Sequence, residues 1–278
     1  MKLGFIGAGK VGTTLGKVFS EAGLEVVGFY SRTKESAEES ATFTGTKLYD
    51  DAEDLVKASD TLFITVSDAA IKDVWDYIAR FDIKNKIICH CSGALSSDIF
   101  KDSKNSGAHV CSIHPIFAFS DKFSIYKQFN NVNFTLEGDS EAVSTIEELL
   151  TGLGHKVRII PSDKKVLYHA AMVYASNLVV GIINESVELL KECDFSEEEG
   201  YLAIEKLAKT NLDSVFARGC EGALTGPVER GDYETVNRHR DAINGLICDE
   251  EKKNRYLEVY DNLSQECAVI AENKRKRG

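Results

Sequence analysis

A chain of 278 residues is long enough for one large domain or two ordinary ones, and 43% hydrophobic with 28% charged residues is ordinary for a soluble globular protein. A formal net charge of −11 argues against general nucleic-acid binding, which needs a basic footprint, but leaves room for a local phosphate pocket. The Lys274-Arg275-Lys276-Arg277 run reads as a solvated end, and no apolar run is expected to reach the length of a membrane span.

Lys2 to Ile6 read as a short buried strand. Gly7, Gly9 and Gly12 follow as G-x-G-x-x-G, and Val11, Leu15, Val18 and Phe19 then recur at helical spacing. Set between a strand and a helix, this motif is a dinucleotide-binding signal. Gly7 permits the tight turn, Gly9 lets the backbone approach a pyrophosphate, and Gly12 lets helix and strand pack closely. The helix start at Lys10 and Val11 offers unpaired N–H groups and a positive partial charge to the phosphates. The loop starts too early for a cleavable signal peptide.

Gly23 closes the first helix, and Leu24 to Tyr30 form a second strand. The residues just past that strand decide between NAD and NADP. An Asp or Glu there binds the ribose 2′-hydroxyl, whereas NADP sites accept a 2′-phosphate. Here Ser31-Arg32-Thr33-Lys34 brings no carboxylate before Glu35. Arg32 offers a planar fork matched to phosphate, and the Ser31 and Thr33 hydroxyls add hydrogen bonds. NADP(H) is therefore the expected cofactor, and Thr33 also suits a helix N-cap.

Asp50 to Ala58 read as a helix and Thr61 to Val66 as the next strand, followed by a helix carrying Ile71, Val74, Trp75 and Ile78. Ligands of open parallel sheets gather at the carboxyl ends of strands, so Val66, Ser67 and Asp68 are expected beside the cofactor. Lys86 to Cys89 form another strand, after which Ser92 and Gly93 are placed to approach the nicotinamide or substrate. The seven cysteines form no C-x-x-C pair, and an odd, unpatterned set fits reduced thiols in a cytoplasm. No metal site is expected: Cys89, His90 and Cys91 are adjacent on a strand and point to opposite faces in turn.

Ala108 to Ile113 form a strand running into His114-Pro115. A histidine at a strand end, held extended by the following proline, is placed to face a cleft. Asn133 to Glu137 and His155 to Ile160 read as later strands with a helix from Ser140 to Leu153 between them. Alternating strands and helices predict an α/β fold, a doubly wound, mostly parallel Rossmann sheet over residues 1–160.

From Pro161 the strand signals stop, and residues 161–278 read as an all-helical substrate and dimerisation domain. A long apolar helix is expected from Lys164 to about Cys193, and its apolar character predicts burial, partly against a second subunit. His169, Ser176, Asn177 and Asn184 interrupt it within a sector of roughly 100° at about 100° per residue. His169 and Asn177 are assigned to a pocket wall, and Asn184 to an internal network. Helices follow over Ser196 to Ala217 and from Asp232 onward, with Asp232 as an N-cap. Between them Gly222 to Gly231 should form a non-helical loop able to bind a small polar substrate, and Thr225 and Arg230 have no simple structural role there.

GFIGAGKVG, the His114-Pro115 pair, YHAAMVYASN (Tyr168 to Asn177) and LTGPVERGD (Leu224 to Asp232) together resemble the superfamily of two-domain reductases that includes ketopantoate reductase, pyrroline-5-carboxylate reductase and 6-phosphogluconate dehydrogenase. More closely, they resemble a bacterial group with a Rossmann-like domain and a helical C-terminal domain, some members of which act as an alternative ketopantoate reductase. The resemblance covers nearly the whole chain and implies a C-terminal domain of the 6-phosphogluconate dehydrogenase type. It further implies that a lysine and asparagines on the first long helix serve the substrate. Laid over this chain, the lysine position falls near His169 and one asparagine near Asn177.

The expected function is an NADPH-dependent oxidoreductase reducing a small oxo-acid, ketopantoate first. Histidine is the favoured proton donor near neutral pH, His169 before His114. Asn177 would orient the carbonyl, and Thr225 or Arg230 would hold a carboxylate. An imine or prephenate-type dehydrogenase and a non-catalytic NADP-binding regulator are the alternatives, since one scaffold serves several chemistries. The expected partners are a small-molecule substrate and a second copy of the chain, with neither nucleic acid nor membrane.

Overall fold

The computed structural model describes residues 1–246 and 250–277. It divides into two units, Met1–Ser176 and Asn177–Gly278, a boundary later than the one after Ile160 suggested by the last strand. The first unit contains β1 (Lys2–Ile6), α1 (Lys10–Glu21), β2 (Glu25–Tyr30), α2 (Lys34–Thr44), β3 (Lys47–Leu48), α3 (Ala52–Ala58), β4 (Thr61–Ile64) and α4 (Asp68–Ile78). It continues with β5 (Ile87–His90), α5 (Ser103–Ser106), β6 (His109–Ile116), β7 (Asn133–Gly138), α6 (Ser140–Gly152), β8 (Lys156–Ile159) and α7 (Lys165–Tyr174).

The eight strands form one sheet in the order β3-β2-β1-β4-β5-β6-β7-β8, parallel except where β7 runs antiparallel to β6. The first six strands have the doubly wound order, whose direction of winding reverses between β1 and β4. Helices cover both faces, so successive strand residues are buried in opposite directions. On β4, Leu62 and Ile64 join Ile71 and Trp75 of α4, while Phe63 joins the opposite core. In that core Phe5 of β1 stacks between Phe29 of β2 and Phe63 of β4, with ring centroids 5.1 Å apart on each side. Both contacts are offset-stacked ring pairs that add to the burial of the rings themselves.

Two strand readings are corrected. The two-residue β3 was not anticipated, being too short to show alternation. The strand expected to stop at Ile113 continues through Ile116, because β7 turns back alongside it and pairs His114 with Thr135 and Pro115 with Phe134. His114 therefore sits within a paired strand instead of at its end.

The second unit is helical: α8 (Asn177–Lys191), α9 (Glu197–Ala223), α10 (Pro227–Arg230), α11 (Tyr233–Asn244) and α12 (Glu250–Arg277). Ser196 closes a reciprocal capping box with Glu199 at the start of α9, and Gly219 interrupts that helix with φ +72°. Asp232 caps α11 through the Thr235 amide, as its sequence position suggested. The loop expected between Gly222 and Gly231 contains a helical turn, α10, bounded by Gly226 (φ +103°) and Gly231 (φ +73°). Proline at its first position, whose missing N–H costs nothing there, explains why a helix starts in a glycine-rich stretch.

The single helix expected from Lys164 to Cys193 is two helices, separated at Ala175 and Ser176. His169 and Asn177 consequently fall on different helices and in different units. Within the single chain the helices are not buried throughout: Val166, Leu167 and Val180 are 70–72% exposed. The expectation about apolar length is corrected. Ser162–Lys191 is long and apolar enough to cross a membrane by length and composition, with a mean hydropathy of 1.7 in its best window. The reason is visible in the sequence: no charged residue occurs from Val166 to Ile183, and the interruptions are all neutral polar groups or histidine.

Candidate active site

The glycine loop lies at the carboxyl end of β1, where the sheet's winding reverses. Gly7 has φ +107° and is pinned on both sides: its amide donates to the Tyr30 carbonyl at 2.8 Å, and its carbonyl accepts from Thr65 Oγ1 at 2.7 Å. A β-carbon on Gly12 would lie 2.5 Å from the Gly7 carbonyl oxygen and nearer still to Thr65 Oγ1, so α1 can pack against the strand ends only with glycine there. At Gly9 a β-carbon would meet nothing within 4 Å; its face of the loop is open. Gly9 is the N-cap of α1 and has no side chain to cap the helix, and no acidic residue occupies the first turn containing Lys10 and Val11. The first-turn amides and the positive helix end are thus available to an anion.

Hydroxyl groups fix this loop from behind. The Ala8 carbonyl accepts from Ser36 Oγ at 2.9 Å and from Thr13 Oγ1 and Ser40 Oγ at 3.4 Å. Lys122 Nζ donates to Ser36 Oγ and to the Ser36 carbonyl at 3.0 and 3.1 Å, tying a distant loop to α2. Ser36, Ser40 and Lys122 were missed in the sequence because nothing in their spacing marks a contact with a loop 28 or more residues away.

Past β2, Arg32 and Thr33 are exposed and Ser31 is half-buried. Thr33 is the N-cap of α2 by position but makes no capping bond, and Lys34 is engaged with Asp50 at 2.7 Å. The open helix start, the unengaged Thr33 hydroxyl and the adjacent guanidinium suit a 2′-phosphate.

Across the reversal, Val66 is half-buried and Ser67 is the exposed N-cap of α4. Ser92, expected to face the cofactor, is buried and its side chain is consumed by the fold. Its hydroxyl donates to Asp68 Oδ2 at 2.7 Å and accepts from the Ala94 and Leu95 amides. His90 beneath it is wholly buried. Its Nδ1 accepts from the Ser92 amide, which leaves Nε2–H to donate to the Ser96 carbonyl. Burial, opposed by that hydrogen bond, lowers the His90 pKa to about 4.

Gly93, His114 and His169 converge. A β-carbon on Gly93 would stand 2.5 Å from His169 Cδ2 and 2.9 Å from His114 Nε2, and the two imidazoles meet edge to face with centroids 6.1 Å apart. His114 Nδ1 is bonded to the Tyr168 hydroxyl at 2.7 Å. Below them Lys165, 1% exposed, donates to the Ser92 carbonyl at 3.0 Å and to Ser112 Oγ. Burial lowers the Lys165 pKa, and Glu137 is the foremost group raising it back. Glu137 in turn accepts from the Ser97 amide and hydroxyl, and its own pKa is raised by burial. Burial, then the Lys165 ammonium, then His169 bring the His114 pKa down to about 4, so His114 is neutral at pH 7.

Lys165, which the sequence did not single out, lies one helical turn before His169, where the resemblance placed histidine in the lysine position. An exposed reading was natural for a lysine following Lys164 at a helix start. The available signal was its four-residue spacing to His169, which puts both on one face of α7. Of the other residues singled out in the sequence, Asn177, Thr225 and Arg230 belong to the second unit and all three are exposed there. Among the described residues no group of three or more His, Cys, Asp or Glu could hold a metal ion.

Residues 2–92 match the family described as NADP oxidoreductase coenzyme F420-dependent, and residues 132–267 match a domain of unknown function, DUF2520. The second match begins beside β7, the strand that reverses direction. No curated protein matches the chain. Among solved structures, the chain is similar to a Bacteroides fragilis protein whose NADP oxidoreductase name is provisional, with 20% identity, a TM-score of 0.76 and coverage of 96% of this chain and 98% of that one. It is similar to a Thermotoga maritima protein with 29% identity, a TM-score of 0.73 and coverage of 98% and 99%. An imine reductase from a Pseudomonas species has 19% identity, a TM-score of 0.65 and coverage of 97% and 96%. The chain thus joins an NADP-binding Rossmann domain of the oxidoreductase class to a helical domain, and it is an NADP-dependent oxidoreductase.

Proposed function

We propose that the chain reduces a small oxo-acid with NADPH, ketopantoate being the leading substrate. The observation that carries this is the placement of His114 and His169 on either side of Gly93, above the buried Lys165 ammonium. Bound NADPH supplies the hydride, and the chain orients the substrate and supplies the proton. Reduction of a carbonyl develops negative charge on oxygen, which a nearby cation and imidazole N–H groups stabilise. His169 is the first candidate to protonate that oxygen and His114 the second. From the sequence, Asn177 is proposed to orient a carbonyl and Thr225 or Arg230 to hold a carboxylate.

Imine reduction is the second reading, supported by likeness to the Pseudomonas imine reductase. The Lys165 charge favours the oxo-acid, because an iminium substrate is cationic and meets repulsion from a buried ammonium. The deciding measurement is NADPH consumption with ketopantoate and with a cyclic imine, for wild type, His169→Ala, His114→Ala and Asn177→Ala. Turnover of ketopantoate that falls in both histidine variants supports the assignment. Unchanged turnover in both removes it, and turnover of the imine alone transfers the site to the second chemistry.

We also propose a homodimer formed through the helical unit. Val180 on α8 and Leu202, Leu207 and Phe216 on α9 are 65–87% exposed, and a second copy is the occupant that would remove this apolar surface from water. A clean monomer in light scattering at micromolar concentration refutes it.

A further inference from the structure

Tyr168 has no part in the chemistry described so far, yet its hydroxyl is hydrogen-bonded to a site histidine, 2.7 Å from His114 Nδ1. The two residues come from different elements, α7 and β6, and their rings meet edge to face at 81° with centroids 5.7 Å apart. The hydrogen bond can run in one of two directions. If Tyr168 donates, His114 carries its proton on Nε2; if Nδ1–H donates, Nε2 is left as a bare acceptor.

The chemistry of the two groups sets the direction. A neutral phenol is a stronger donor than neutral imidazole, and a pyridine-type imidazole nitrogen is a stronger acceptor than a phenol oxygen, so the Tyr168 hydroxyl donates to His114 Nδ1.

We infer that Tyr168 is a positioning residue that fixes His114 in the Nε2–H tautomer, so that His114 serves the site as a neutral hydrogen-bond donor and not as a base. Its Nε2 edge is the one that approaches Gly93, where the absence of a side chain keeps the N–H clear. The charged and titratable groups acting on His114 are Lys165, His169 and Asp68. Of these, Lys165 and His169 oppose a second proton on the ring. The catalytic consequence rests on the reductase reading above; the tautomer does not.

The test is long-range proton–nitrogen correlation spectroscopy on the 15N-labelled full chain near pH 7.5, with His114→Gln used to assign the signals. Wild type should show His114 protonated on Nε2 alone, and Tyr168→Phe should show a mixture of both tautomers. A His114 protonated on Nδ1 in wild type overturns the inference, as does an unchanged Nε2–H tautomer in Tyr168→Phe. The wild-type spectrum decides even if that variant fails to fold. In the NADPH assay Tyr168→Phe should lower kcat about tenfold, the worth of one neutral hydrogen bond, with KM for NADPH unchanged. If His114→Ala keeps full turnover while the tautomer result stands, the assignment of the reductase site fails and the positioning role of Tyr168 survives.

Discussion

Lys165 Nζ lies 3.0 Å from the Ser92 carbonyl oxygen, so the only charged side chain on α7 is anchored to the loop that follows β5. Its ammonium also donates to Ser112 of β6 and faces Glu137 of β7. One side chain thus ties the loop after β5 to β6 and acts electrostatically on β7. Removing it leaves the buried Ser92 carbonyl and Ser112 hydroxyl without the ammonium and takes a favourable charge away from Glu137. Lys165→Ala should destabilise the fold by about 1–3 kcal/mol, the range for depriving a buried polar group of its partner. Lys165→Ala combined with Glu137→Gln should recover part of that loss. Urea denaturation reads both, and a loss below about 1 kcal/mol for the single variant contradicts the anchoring role.

Arg32 is proposed to read the 2′-phosphate that distinguishes the two nicotinamide cofactors. Arg32→Ala should raise KM for NADPH by about 10-fold or more, the worth of one charge-assisted hydrogen bond, and leave KM for NADH nearly unchanged. Equal effects on both cofactors would place Arg32 outside the phosphate site.

Gly9 and Gly12 separate cofactor approach from packing. A β-carbon on Gly12 collides with Gly7 and Thr65, whereas one on Gly9 meets no atom of the protein. Gly12→Ala should therefore lose about 1–3 kcal/mol of stability as an overpacked contact. Gly9→Ala should keep its melting temperature and lose NADPH affinity. Calorimetric unfolding with and without NADPH distinguishes the two, and a Gly9→Ala chain that binds NADPH normally counts against the pyrophosphate assignment.

His90 and His114 both titrate near pH 4 in the folded chain against an ordinary 6.5. Between those values the unfolded chain binds more protons than the folded one, so stability falls as the pH drops from 6.5 towards 4. It is fully present above 6.5, and below 4 these groups contribute no further slope. For the wholly buried His90 the shift corresponds to at most about 3 kcal/mol. Melting temperature measured from pH 7.5 to 4 should show this decline, and His90→Gln should flatten it relative to wild type. A wild-type profile with no slope between pH 6.5 and 5 is incompatible with a neutral, buried His90.

The nucleotide half of the molecule was legible because its signals are local. A strand, a glycine turn and a helix follow one another within a dozen residues, and the tasks assigned to Gly7 and Gly12 are the ones their surroundings impose. His114 was singled out by its neighbour Pro115, though the strand around it proved longer. Lys165 and Tyr168 were missed for a different reason. Their roles come from contacts with Ser92, Ser112 and His114, more than 50 residues away, and a lysine beside Lys164 carries no mark of burial. The break at Ala175 and Ser176 was equally silent: neither residue is proline or glycine, and the apolar pattern continues through both.

The reversal of β7 has a mechanical consequence. Pairing between β5 and β6 ends at Ser112, whereas pairing between β6 and β7 runs on to Ile116. His114 therefore rides on a three-stranded extension of β6, β7 and β8, in which β6 is hydrogen-bonded from the β7 side only. The strand pairing that holds His114 in line comes from β7 and β8 at the far edge of the sheet, and none of it from β1 and β4 beneath the nucleotide loop.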